Sequence, residues 1–181
     1  MVIWGVGWIT TDAKPQIIGT VGRENRTYIR VSPEDTMAFW LVHDGGQAGI
    51  ADKELMALVI GSLDGYADRS NAVLFVRVGN MDAVCWAIKG KGRSKFARMI
   101  LSTYLLWFVK HGEDVVTFYL RTNQNVTADE VERLADGGLA AWGTNKRLTR
   151  IDGPDQRWAF CLSAPHFGMG SDSRSEAAPG T

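Results

Sequence analysis

Asn125-Val126-Thr127-Ala128-Asp129-Glu130-Val131-Glu132-Arg133 follows the strand-like run Val115-Val116-Thr117-Phe118-Tyr119-Leu120 and opens a helix. A strand handing directly to a helix, late in the chain, marks an α/β architecture. Thr127 and Glu130 have the spacing of a capping box, so the helix is expected from Ala128 to about Ala135.

Upstream, the same alternation recurs. Val2 to Ile9, Gln16 to Val21 and Thr27 to Val31 read as three strands of an antiparallel meander. Asp12-Ala13-Lys14-Pro15 reads as the first turn, since Pro fixes its own φ and restricts the residue before it. Ser32-Pro33-Glu34-Asp35 starts a short helix to about Val42. A second helix is expected from about Ala51 to Ala67, with Leu55, Leu58, Val59 and Leu63 on one face. Val73 to Val78 is apolar except for Arg77, as suits a central strand buried on both sides. Asn80 to Ile88 forms a short helix, and Phe96, Met99, Ile100, Tyr104, Trp107 and Phe108 make one wide apolar stripe on the next. The expected fold is a mixed sheet, meander plus parallel strands, with helices on its faces.

The totals exclude several classes. A chain of 181 residues suits a single core. Lys+Arg and Asp+Glu balance at 20 each, so net charge does not mark a nucleic-acid binder. Cys85 and Cys161 make neither a metal spacing nor a disulfide framework, which favours a reducing, intracellular setting. His43, His111 and His166 share no metal spacing. No signal peptide or membrane span is read from the sequence. Gly137-Gly138 ends the recognisable domain, residues 1–138; 139–162 reads as an extension packed on it, with Trp142 and Trp158 as anchors. Residues 163–181, rich in Gly, Ser, Ala and Pro, are expected to be disordered.

Asn125 with Ala128-Asp129 resembles the Asn-x-x-Ala-Asp signature of the ribonuclease H domains that follow reverse transcriptases in retrotransposons. Glu54 before Leu55-Met56-Ala57-Leu58 resembles the family's first long helix. Gly79-Asn80-Met81-Asp82-Ala83-Val84 resembles its Asp-Asn-x-x-Ala-Val, with Gly79 where the Asp stands, and Arg93-Ser94 matches the opening of its next helix. Trp4-Gly5-Val6-Gly7-Trp8 resembles the Gly-rich remainder of its first strand. The resemblance spans residues 3–135 and implies a five-stranded mixed sheet flanked by helices. It also implies an endonuclease that cleaves RNA in RNA–DNA hybrids using Mg²⁺ or Mn²⁺, beside a polymerase domain of the parent polyprotein.

The family holds its ions with four carboxylates. Carried over, Glu54 and Asp129 are kept as metal-binding, catalytic positions. Gly79 replaces the third, and the first, counted back from Trp4, falls upstream of Met1. On that count the chain is a degenerate, inactive nuclease that keeps nucleic-acid binding, or else a structural module with no such affinity. Both retained acids also suit an ordinary helix start, where the dipole favours them. Asp12, in Thr11-Asp12-Ala13, is a second candidate for the first-strand acid, and Asp82 a displaced third. Lys89, Lys91, Arg93, Lys95 and Arg98 form a Gly-spaced basic run suited to phosphate contact or simply to solvation. With Asn80 and Asn125 they are the expected contacts to hybrid or duplex.

Overall fold

The computed structural model describes residues 5–13, 18–22, 26–31, 49–65, 72–111 and 114–151. Along the chain these form β1 (Gly5–Ala13), β2 (Ile18–Gly22), β3 (Thr27–Val31), α1 (Ile50–Gly65), β4 (Ala72–Val78), α2 (Met81–Lys89), α3 (Lys95–His111) and β5 (Asp114–Tyr119). A 3₁₀ turn at Thr122–Gln124, α4 (Val126–Arg133), α5 (Asp136–Lys146) and β6 (Thr149–Ile151) follow. The helix expected from Ser32, Trp158, Cys161, His43, His166 and the tail 163–181 lie outside the described residues.

The sheet order is β5-β4-β1-β2-β3-β6. β2 runs against β1 and β3, while β1–β4, β4–β5 and β3–β6 pair in parallel. Every strand except β2 therefore points the same way. The meander and the parallel additions were expected; the strand count was not. The sheet has six strands, because Thr149–Ile151 adds to the β3 edge. The segment after Gly137-Gly138 is thus not merely packed on the domain: α5 contains both glycines and leads into a strand of the sheet.

Alternation sorts the strands into two cores. Ile9, Ile18, Ile29, Leu74, Val76 and Val78 face α1, α2 and α3, where Leu55, Leu58, Val59, Phe96, Ile100 and Tyr104 meet them. Val21 and Tyr28 face the other way, against Val131 and Leu139 of α4 and α5. The described part of β4 is fully buried on the first face only. On the other, Phe75 stacks on Trp8 at 4.7 Å, and the Arg77 guanidinium sits 4.8 Å from the centre of the Trp8 ring. The basic residue in that apolar strand is accommodated by a cation–π contact on a half-buried face, not by burial on both sides.

Two glycines bring helices close to the sheet. A Cβ at Gly61 of α1 would lie 2.9 Å from Ile9 Cγ2 and 3.0 Å from Thr11 Cγ2. A Cβ at Gly19 of β2 would lie 3.0 Å from the Ala128 carbonyl oxygen and 3.4 Å from Val131. The second contact sets α4 against the strand paired with the end of β1, since Gly19 is the register partner of Asp12. Gly19→Val should therefore lift α4 and lower stability by roughly 1–3 kcal/mol, the range for overpacking a tight contact. Chemical denaturation measures it; an unchanged midpoint would show that α4 tolerates displacement.

Candidate functional site: a carboxylate cluster at the strand ends

β1 does not turn at Asp12. It stays paired through Ala13, with Asp12 opposite Gly19 on one side and Thr11 opposite Val78 on the other. The β-branched pair Thr10-Thr11 favours the strand. The described part of the first strand thus carries an acid of its own, Asp12, near its end. Asp12 is buried, and one of its carboxylate oxygens accepts the Ala13 backbone N–H at 3.1 Å.

From above the sheet, α4 supplies two more acids. Asp129 and Glu132 are three residues apart, so they share a helix face. One carboxylate oxygen from each of Asp12, Asp129 and Glu132 can be chosen so that all lie within 4.8 Å of one another. Glu132 is only 3% exposed. Asp129 is more open and accepts Arg133 Nε at 2.7 Å, on a side chain that is itself mostly in solvent. The helix is anchored from behind by Glu130, which accepts Trp142 Nε1 at 2.9 Å and pairs with Lys146 at 3.3 Å. The expected capping box is not made: α4 begins at Val126, which places Thr127 inside the helix, and Glu130 turns to α5 instead.

The fourth acid arrives from the opposite face. Glu54 lies in the second turn of α1, is 4% exposed, and hydrogen-bonds the Asp12 side chain. Its carboxyl is pushed up to about 9, first by burial, then by the neighbouring Asp12 charge and the hydrogen bond to Asp12, with Glu132 adding to the effect. Gly79 makes room for this meeting. A Cβ there would lie 3.1 Å from Asp12 Oδ1, 3.2 Å from Glu54 Oε1 and 3.6 Å from Asn125 Nδ2. Gly79 thus adjoins Asp12, Glu54 and Asn125 at the end of β4. Glu54 and Asp129 join through Asp12 between them. Asp82 sits exposed in the first turn of α2 and belongs to no acidic cluster among the described residues.

Asn125 is wholly buried. Its Nδ2 donates to the Thr11 carbonyl at 2.8 Å, stitching the start of α4 to β1, and its Oδ1 finds no hydrogen-bond partner among the described residues. Glu54 Oε2 is likewise buried and unpartnered among the described residues. A hard divalent cation with oxygen ligands is one partner that could satisfy such buried acceptors. Through its bond to Thr11, Asn125 fixes the start of α4 against β1. Asn80 caps α2, its Oδ1 accepting the Ala83 N–H at 3.1 Å.

The basic residues Lys89, Lys91, Arg93, Lys95 and Arg98 are all exposed. Their segment is built, not loose. Gly90 takes the left-handed conformation (φ 61°) that closes α2, and Ser94 caps α3 while donating its hydroxyl proton to Asp52. Asp52 is two residues before Glu54, so the segment is tied to the start of the helix that carries a site acid. Changing Lys91, Arg93 and Lys95 together to Ala should reduce the slope of log affinity against log salt for duplex binding by about 3, one for each phosphate no longer neutralised. An unchanged slope would assign these charges to solvation alone.

Glu132 was not singled out from the sequence. The available signal was its place on the buried stripe of α4 with Ala128 and Val131, where an acid is out of pattern. No protein-family model matches the chain, and no curated protein sequence does. None of the helices among the described residues is long and apolar enough to cross a membrane.

Proposed function

We propose that the chain is a ribonuclease H-like domain that hydrolyses phosphodiester bonds of RNA paired with DNA, using divalent cations held by Asp12, Glu54 and Asp129. The observation that carries this reading is the cluster itself: acids from β1, α1 and α4 brought together at the carboxyl end of parallel strands. A sheet in which β1, β2 and β3 form a meander and β4 and β5 join β1 in parallel supports the family resemblance, with β6 as an addition. The resemblance further implies a polymerase neighbour in a retrotransposon polyprotein.

With Asp12 read as the first acid, the Gly79 position alone lacks a carboxylate, and one of the two grounds for expecting inactivity falls away. Divalent cations held by Asp12, Glu54 and Asp129 would supply an activated water and a stabilised leaving oxygen. The chain's own part is positional. Asp12, fixed by the sheet and by the Ala13 N–H, offers its carboxylate between α1 and α4. Glu54 must surrender its proton to become a ligand. Asn125 locks α4 to the strand end. Arg133, at the rim and mostly exposed, is placed to meet a phosphate beside Asp129.

The test is incubation of the chain with end-labelled RNA annealed to DNA, in Mg²⁺ or Mn²⁺ and in EDTA. Metal-dependent internal cleavage of the hybrid, well above that of the same RNA single-stranded, is expected. Hybrid left intact in both metals would overturn the reading.

A further inference from the structure

α1 and α3 run side by side in the same direction. Two hydrogen bonds join them, Ser94 to Asp52 near their starts and Ser62 to Tyr104 (3.2 Å) about 15 Å further along each helix. Both link residues 42 apart in sequence, so the helices keep one register. Their N-termini therefore lie together, which sets the positive ends of two helix dipoles beside each other. Asp52 stands between them, buried, with a charge that suits both ends. Its Oδ2 accepts the Gly49 backbone N–H at 3.0 Å, the back-bond of a capping box at the start of α1. Its Oδ1 accepts the Ser94 hydroxyl, whose oxygen accepts the Ala97 N–H at 2.8 Å as the cap of α3. One carboxylate thus serves the first turns of both helices. Asp52 and Glu54 leave α1 on different sides, since residues two apart on a helix do not share a face. Glu54 turns to Asp12 on the sheet and Asp52 turns to α3, so the first turn of α1 is fixed between them. The cations at the start of α3 are built onto the same frame. Ser94 lies between Arg93 and Lys95, Arg98 Nη1 donates to the Arg93 carbonyl at 2.8 Å, and a Cβ at Gly92 would run into Ala97.

We infer that Asp52 and Ser94 are a positioning pair for hybrid cleavage: their hydrogen bond holds Arg93 and Lys95 at a set distance from Glu54, so that a strand whose phosphates meet the cations is aligned on the site acid. This rests on the reading proposed above. Neither residue is catalytic; both act through the groups they hold. Ser62 and Tyr104 join the same two helices about 12 Å beyond Glu54 along α1. Loss of that bond loosens the core without disturbing the alignment.

Steady-state cleavage of labelled hybrid in Mg²⁺ tests it, with every variant assayed well below its own melting temperature. Ser94→Ala removes the hydroxyl, and Asp52→Asn keeps the size but offers one acceptor to two donors. Each should lower kcat by on the order of tenfold with KM for hybrid within about twofold, the pattern of lost alignment and not of lost affinity. The double variant should lose little more than either alone, because one bond is broken in all three. Ser94→Thr keeps the hydroxyl and should restore kcat. Ser62→Ala is the structural control: it should lower the melting temperature and leave kcat unchanged. Should one of the two main variants fail to fold, the other decides. An unchanged kcat in the folded variants, a rise in KM alone, or an equal fall in kcat in Ser62→Ala would overturn the inference while the unmodified chain still cleaves. An unmodified chain that leaves hybrid intact would overturn the reading above and this inference with it.

Discussion

Asp12→Asn should reduce metal-dependent cleavage of RNA–DNA hybrid by on the order of 10³-fold or more, the scale lost when a charge stabiliser of the transition state is removed. Asp12 is the acid the others share. It hydrogen-bonds Glu54 on one side and faces Asp129 and Glu132 on the other. The amide keeps the size and the place in β1, so the fold should survive, and circular dichroism should be unchanged. Ligands that act together also make losses non-additive: Asp12→Asn combined with Asp129→Asn should cost little more than either alone. Labelled-hybrid cleavage measures both. If Asp12→Asn kept activity within about tenfold of the unmodified chain, against the loss expected on removing such a group, Asp12 would have no part in the chemistry. The site would then return to the reading in which the first acid is missing.

The second large effect is a stability that depends on pH in opposite ways with and without metal. The Glu54 carboxyl is pushed up to about 9 in the fold from an ordinary 4.5, first by burial and then by Asp12 and Glu132. Between these values the folded chain holds a proton that the unfolded chain has released. The slope of unfolding free energy with pH is then negative, so stability in EDTA is greatest at low pH and falls as pH rises. One such proton gives about 1.4 kcal/mol per pH unit, or roughly 4 kcal/mol and 10 °C of melting temperature between about pH 5.5 and about pH 8.5. Divalent cations require the ionised acids, so their binding releases protons and strengthens as pH rises. The rise in melting temperature on adding Mg²⁺ should therefore grow over the same interval. Melting curves with EDTA and with Mg²⁺ decide it: a stability in EDTA that increases with pH would mean the Glu54 carboxyl is not held protonated by its neighbours. Glu54→Gln should flatten the EDTA curve and abolish the response to Mg²⁺.

The two asparagines and the basic segment show how local signals divide. Asn80 ends a strand and precedes a helix, and capping follows from that position alone. Asn125 precedes a helix too, yet its side chain does not cap it. It crosses to the Thr11 carbonyl, more than a hundred residues away in sequence, because the helix start and the strand end meet there. Nothing within a few residues of Asn125 encodes that partner. The basic run is punctuated by glycines. In the fold one of those glycines closes a helix, and Ser94 is held by an acid of a distant one.

The sequence by itself determined the alternation of strands and helices, the apolar faces, the candidate acids Glu54 and Asp129, and the glycine at position 79. All of these are properties of short windows: periodicity, caps, and residue types at close spacing. Tertiary structure decided the rest of the site. Whether Asp12 lies in a turn or a strand depends on its pairing with Gly19, and so on where β2 begins. Glu132 became a site residue only when α4 settled against Gly19 and faced Asp12. The sixth strand likewise needed the free edge of β3 before three residues could become part of the sheet. Strand register and helix placement are set by contacts between segments far apart in the chain, and a carboxylate cluster exists only where those contacts bring its members together.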